Sequence, residues 1–184
     1  MIVPVGARTL LTVEEFDQLP DQPGVRFELD RGELVEVSAA TYEHNRIRGA
    51  LESALRVFLA AQRIGEAVAE QEFRLGPDTV RRPDVAFLRS ETVARIDKSK
   101  SILEVVPDLV AEVVSPNDTA EKLMRKVDQF LAAGCSLLWV VYPAERKAHV
   151  YEPNDQVRVL SEGKNVQAPD LLPGFSFPVS RLFE

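Results

Sequence analysis

The residue types that build many catalytic and structural centres are scarce here. Cys135 is the only cysteine in 184 residues, and there are two histidines, His44 and His149. A lone cysteine excludes an internal disulfide and fits a reducing cytoplasm. With no CxxC pair, no GxSxG elbow, no Gly-rich phosphate loop and histidines far apart, the sequence argues against a zinc site, a Ser-His-Asp hydrolase and a P-loop enzyme. No apolar run approaches the roughly 18 residues that a membrane span needs. The opening MIVPVGARTLLTVEEF lacks a basic leader, a long apolar segment and a small-residue cleavage site, so no signal peptide is expected. The expectation is a soluble cytoplasmic protein with no membrane partner.

Net charge is −7, which argues against a non-specific nucleic-acid coat protein but leaves room for a local basic groove around an acidic, metal-binding centre. Length and a hydrophobic content of 45% suit one globular domain with a single core.

Along the chain, Thr12 with Glu15 forms a capping box opening a short helix that Pro20 stops. DQPG reads as a turn, and FELDRGELVEV as a hairpin around Arg31-Gly32. From Thr41 to about Gln62, Ile47, Leu51, Ala54, Leu55, Phe58 and Leu59 recur at helical spacing. AVAEQEFRL, RRPDVAFLR and DLVAEVV read as three strands, with residues 89–106 a loop carrying a short helix. Asp118 with Glu121 suggests a second capping box, and Gly134 a stop. SLLWVVYP is a buried strand with Trp139 in the core, and KAHVYEP with QVRVLSE a closing hairpin. The tail keeps Leu171, Leu172, Phe175, Phe177 and Phe183, enough to pack on the domain. This order gives an α/β fold around a mixed sheet.

Carboxylates and lysines carry the chemistry. In DLVAEVV, alternation puts Glu112 on one side with Val110 and Val114, where a carboxylate is either desolvated with a raised pKa or compensated by a cation or metal. Asp84 either pairs with Arg81 or Arg82 or binds a metal. If the two strands are neighbours, the carboxylates stand roughly 4–6 Å apart, a spacing suited to one hard divalent ion. Lys122 and Lys126 share a face of the following helix, and the spacing does not choose between them.

These phrases, in this order and spacing, resemble the PD-(D/E)XK nuclease superfamily and, more narrowly, the Uma-two family of putative restriction endonucleases. The resemblance spans TVEEFDQLP, RFELDRGELVEV, the His44 helix, RRPDVAF, DLVAEVVSPND, Lys126 to Gly134 and LLWVVYP. It implies a PD-(D/E)XK nuclease-like mixed sheet flanked by helices, with extra N- and C-terminal β elements. Residues 1–184 would form one restriction-endonuclease-like domain: helix and hairpin decoration over 1–40, the core over 41–142, and a β hairpin with packed tail over 143–184.

By the same resemblance Asp84, Glu112 and Lys126 are the catalytic set. Asp84, Glu112 and Glu28 would bind Mg2+ or Mn2+, and Lys126 replaces a lysine whose usual strand position is Val114. His44, Lys122 and Arg82 are candidate substrate contacts. The implied function is metal-dependent phosphodiester hydrolysis of nucleic acid, DNA above all, by a homodimer. The alternative is a non-catalytic binding or assembly module on the same scaffold.

Overall fold

The computed structural model describes residues 10–20, 22–37 and 39–184. Asp21 of the DQPG turn and the first nine residues lie outside them. The chain runs α1 (Val13–Asp17), β1 (Arg26–Asp30), β2 (Glu33–Val37), α2 (Tyr42–Gln62), β3 (Gly65–Ala69), β4 (Glu72–Gly76), β5 (Thr79–Arg81) and β6 (Val85–Arg89). It continues through α3 (Ser90–Val93), β7 (Ile102–Leu103), β8 (Leu109–Val113), α4 (Ala120–Ala133), β9 (Leu137–Tyr142), β10 (Lys147–Glu152), β11 (Gln156–Ser161), β12 (Asn165–Val166) and β13 (Phe177–Pro178).

The capping box expected at α1 forms. Thr12 Oγ1 accepts from Glu15 N at 3.2 Å, while the Glu15 carboxylate accepts from Thr12 N at 2.8 Å. Thr41 caps α2 by accepting from His44 N at 3.1 Å. The stop of α2 is Arg63, in the left-handed region at φ 54. Gly65 instead starts β3, where a Cβ would meet Leu88 O at 2.1 Å; glycine lets β3 lie against β6. The second capping box does not form. Thr119 caps α4, and the Asp118 carboxylate accepts from Ser115 N at 2.7 Å, folding the strand end back on itself. Gly134 at φ 109 ends α4 as anticipated.

Two runs expected to be single strands are each broken. AVAEQEFRL divides at Glu70, a non-glycine residue at φ 52, into β3 and β4. RRPDVAFLR divides at Pro83, which has no N–H to donate, into β5 and β6. In both, one half joins a five-stranded sheet (order β2-β1-β5-β4-β7) and the other a six-stranded sheet (order β11-β10-β9-β8-β6-β3). The breaks lie side by side, since Glu70 N donates to Asp84 O at 3.2 Å. The six-stranded sheet is mixed, β8–β9 being parallel and its other ladders antiparallel. The first hairpin is not peripheral decoration: β1 pairs with β5 inside the second sheet.

One face of the six-stranded sheet (Val85, Phe87, Leu109, Ala111, Trp139, Val141) packs against Ile47, Leu51 and Leu55 of α2 and against the tail through Leu171, Leu172 and Phe175. On the other face Val110, Leu138 and Val140 meet Val127 and Phe130 of α4. Ala86 and Leu88 cover Phe73, Leu103 and Val105. Each fully buried Leu or Phe contributes roughly 1.5–3 kcal/mol. The Phe175 ring stacks on Trp139 at 5.8 Å and meets Phe58 edge-on at 5.4 Å, which is how the tail is held. Phe175→Ala is expected to cost about 3–5 kcal/mol in denaturant unfolding. A cost under about 1 kcal/mol would show that the tail does not share this core. Among the described residues no helix is long and apolar enough to cross a membrane.

Candidate active site

A cleft of about 1140 Å³ opens between the first hairpin and the start of α2, and Asp84, Glu112 and Lys126 line it. Their meeting follows from the topology. The β6–β8 ladder pairs Val85 with Ala111, and one further antiparallel step sets Asp84 opposite Glu112. Directly opposed side chains of such strands have Cβ atoms about 4.5–5.5 Å apart. Helix α4 packs on the Glu112 face of β8 through Val127 and Phe130, and this packing aims Lys126 at the carboxylate.

The Lys126 ammonium lies 2.9 Å from Glu112 Oε1 and 3.0 Å from Glu28 Oε1, and donates to Arg82 O at 3.3 Å. A lysine has three N–H donors, and three acceptors surround this one. The Glu112 contact is close enough for an ion pair but poorly directed as a hydrogen bond. Burial alone would discharge the lysine; Glu112, Glu28 and Asp84 outweigh it and push the ammonium's pKa well above the ordinary value. Lys126 is therefore a fixed cation and not a proton acceptor at neutral pH.

Glu112 is pushed up to about 8: burial is the largest cause, Lys126 works against it, and repulsion from Asp84 and Glu28 adds to it. Glu28 behaves oppositely. Burial works upward on it too, but Lys126, Arg81 and the Arg82 N–H hold its carboxyl below the usual range. Its Oε2 accepts from Arg81 at 2.8 Å, and its Oε1 from Arg82 N at 2.8 Å. Both oxygens are thus engaged by cations and N–H groups, and Glu28 holds Lys126 in position.

Asp84 pairs with neither Arg81 nor Arg82. Its Oδ1 is 2.8 Å from His44 Nε2 and its Oδ2 accepts from Val113 N at 2.7 Å. His44 Nδ1 is in turn 3.0 Å from Ser115 Oγ. His44 therefore belongs to the site as the residue that orients Asp84. Ser115 and Glu72, which pairs with Arg82, went unremarked in the sequence, and Arg81, weighed there as a partner of Asp84, pairs with Glu28 instead. A signal was there in SPND: the turn brings Ser115 back beside its own strand. Arg82 lines the cleft, and its Nε is buried without an acceptor among the described residues. Lys122 is exposed, one turn earlier on α4, and does not line the cleft.

Among the described residues no group of three or more His, Cys, Asp or Glu side chains is disposed to hold a metal ion. Asp84 and Glu112 fit a hard cation that takes one or two carboxylates and completes its shell with water and phosphate oxygens. Glu112 Oε1, buried with no hydrogen-bond partner among the described residues, is the observation in favour of that fit.

A family model described as "Putative restriction endonuclease", Uma2, matches residues 13–180. The chain belongs to the Uma2 family. A crystal structure described as a putative nuclease belonging to DUF820, from Anabaena variabilis, superposes with a TM-score of 0.84 at 22% identity, covering 94% of this chain and 97% of that one. The likeness establishes the fold: the mixed α/β nuclease-like architecture expected from the sequence is the one observed. No curated protein matches the chain. The Uma2 assignment supports a nuclease function in general terms, and the matched span includes each of the residues Glu28, His44, Asp84, Glu112 and Lys126.

Proposed function

We propose that the protein is a Mg2+-dependent endonuclease that hydrolyses phosphodiester bonds in DNA. The observation that carries this reading is the Lys126 ammonium set between Glu28 and Glu112 on the cleft wall, with Asp84 opposite Glu112. The family description supports nucleic acid as the substrate and, through restriction, DNA. Asp84 and Glu112 would hold Mg2+, or Mn2+ in its place. A divalent ion bound there would activate water and stabilise the charge of the phosphoryl transition state.

The chain's own groups do the rest. Hydrolysis joins the water oxygen to phosphorus and breaks the bond to one sugar oxygen, which leaves with a proton. Lys126 keeps its charge and so can orient that water or neutralise a phosphate oxygen, but it does not take the proton. Its contact to Glu112 is the one to open, because Glu28 is held in place by Arg81 and the Arg82 N–H while Glu112 Oε1 has no hydrogen-bond partner among the described residues. The orphaned Arg82 Nε supplies a donor for a phosphate oxygen. His44 and Val113 N keep Asp84 from turning away. A homodimer, which would present one such site to each strand of a duplex, is the proposed assembly, checked by sedimentation.

Supercoiled plasmid and labelled oligonucleotides, incubated with Mg2+, Mn2+ or EDTA, test the proposal. Cleavage is expected with either ion and not with EDTA, and Asp84→Asn is expected to lower the rate at least about 100-fold, the scale of losing a group that stabilises transition-state charge. Wild-type protein that binds DNA yet never cuts it would instead establish a binding module on a nuclease scaffold.

A further inference from the structure

Glu70 is the residue at which the chain leaves one sheet for the other, and it does so at φ 52, a conformation uncommon for a residue with a side chain. Residues held in sparsely populated backbone regions persist only when their surroundings over-determine them. Two restraints are visible here. The Glu70 N–H donates to the carbonyl of Asp84 at 3.2 Å. Its carboxylate Oε1 receives two guanidiniums from separate elements, Arg26 of β1 at 2.9 Å and Arg48 of α2 at 2.5 Å. All three residues line the cleft.

Charge counting sharpens this. Burial works upward on the Glu70 carboxyl, but the Arg26 bond and the charges of Arg48 and Arg26 hold it below its ordinary range. It stays an anion, so two arginines against one carboxylate leave one positive charge. Each guanidinium has five N–H donors in a planar fork that suits phosphate. The described contacts use one N–H of each for Glu70.

The position is set by the catalytic residues themselves. Arg48 follows His44 by four positions on α2, the same helical face, about 6 Å along the axis. Arg26 precedes Glu28 by two positions on β1, the same strand face, about 6.6 Å away. His44 holds Asp84 and Glu28 holds Lys126, so the arginine pair is displaced from the catalytic groups by one step on both walls at once. We propose that Arg26 and Arg48, gathered by Glu70, bind a backbone phosphate flanking the one that is cut. The substrate is then a polynucleotide strand gripped at two phosphates, and not an isolated phosphoester. This rests on the nuclease reading and adds to it a subsite with its own test.

Binding of fluorescein-labelled oligonucleotides of unrelated sequence is measured by anisotropy in EDTA, over a range of salt, for wild type, R26Q, R48Q and R26Q/R48Q. Arg158→Gln on β11, at the far edge of the six-stranded sheet, is the control for charge. The double variant is expected to bind about 10-fold or more weakly, to the same degree on every sequence. Its plot of log affinity against log salt should be shallower by about 0.7–0.9, the value of one lost phosphate contact. Unchanged midpoints of thermal unfolding confirm the fold of each variant; if the double variant fails that check, the single variants decide, each with a smaller loss in the same direction. Wild-type binding with an unaltered slope in the folded arginine variants, or an equal loss in Arg158→Gln, would overturn the subsite alone. A wild-type protein that binds no oligonucleotide would overturn the nuclease reading and the subsite with it.

Discussion

Lys126→Met is expected to abolish metal-dependent cleavage, by at least about 100-fold, and to destabilise the metal-free protein at the same time. The first effect follows from the loss of a fixed cation at the point where phosphoryl charge develops; groups of this kind contribute roughly 100- to 1000-fold. The second follows from what is left behind. Glu28 and Glu112 are both buried and share this one ammonium. Breaking a buried ion pair from one side typically costs about 3–5 kcal/mol, because the stranded charge has lost its solvent and its partner. Glu28 retains Arg81 and the Arg82 N–H, and Glu112 can escape by taking up a proton, so the lower end, about 3 kcal/mol, is expected here. For a chain of this length that corresponds to a fall in Tm of about 6–12 °C.

A divalent ion should restore more stability to Lys126→Met than to wild type, because it would then be the only cation facing Glu112. Tm measured with and without Mg2+ reads this directly. Lys122→Ala, one turn away and exposed, should change neither Tm nor cleavage by more than a few-fold. A fully active, fully stable Lys126→Met would remove Lys126 from the mechanism.

That the choice between these lysines needed the structure has a physical reason. Both lie on one face of α4, and helical periodicity treats them alike. What separates them is the depth at which α4 sits, fixed by Val127 and Phe130 against Val110, Leu138 and Val140. Contacts of that kind are set by packing between distant segments. Asp84 and Glu112 were legible because each interrupts an apolar run, an anomaly that a one-dimensional pattern displays. The partners of Asp84 were not: His44 is 40 positions earlier and Val113 is 29 later, joined only by the tertiary fold. Local capping at Thr12 was readable because its physics spans three residues, whereas at α4 the same reading chose Asp118 and the cap is Thr119. The break at Glu70 was hidden, since AVAEQEFRL keeps its alternation while passing from one sheet to the other. Pro83 did mark the irregularity; the glutamate at φ 52 left no mark in the sequence.

Glu112→Gln is expected to abolish cleavage and metal binding while leaving the metal-free protein at least as stable as wild type. The sign comes from the proton balance. The Glu112 carboxyl has an ordinary value of 4.5 and is pushed up to about 8 in the folded protein, with burial the largest cause. Below about pH 4.5 the carboxyl is protonated in both states and contributes nothing. Between about 4.5 and 8 the folded protein holds a proton that the unfolded chain releases, so stability falls as pH rises through that window. Above it both states are ionised and the full cost persists. Each pK unit is worth 1.36 kcal/mol, but a buried site that can relax returns less than the whole interval, so about 1–3 kcal/mol is expected. Glutamine keeps the shape and loses the charge, while Lys126 keeps Glu28 as its counter-ion. The variant should therefore match wild type near pH 4.5 and exceed it by about 2–12 °C in Tm near pH 8.5. Mn2+ titration followed calorimetrically gives the other half, with binding to wild type and none to the variant. A Glu112→Gln protein that is less stable than wild type at pH 8.5 would mean that Glu112 is held there as the structural partner of Lys126, and not kept, at a cost to the fold, for a cation that arrives later.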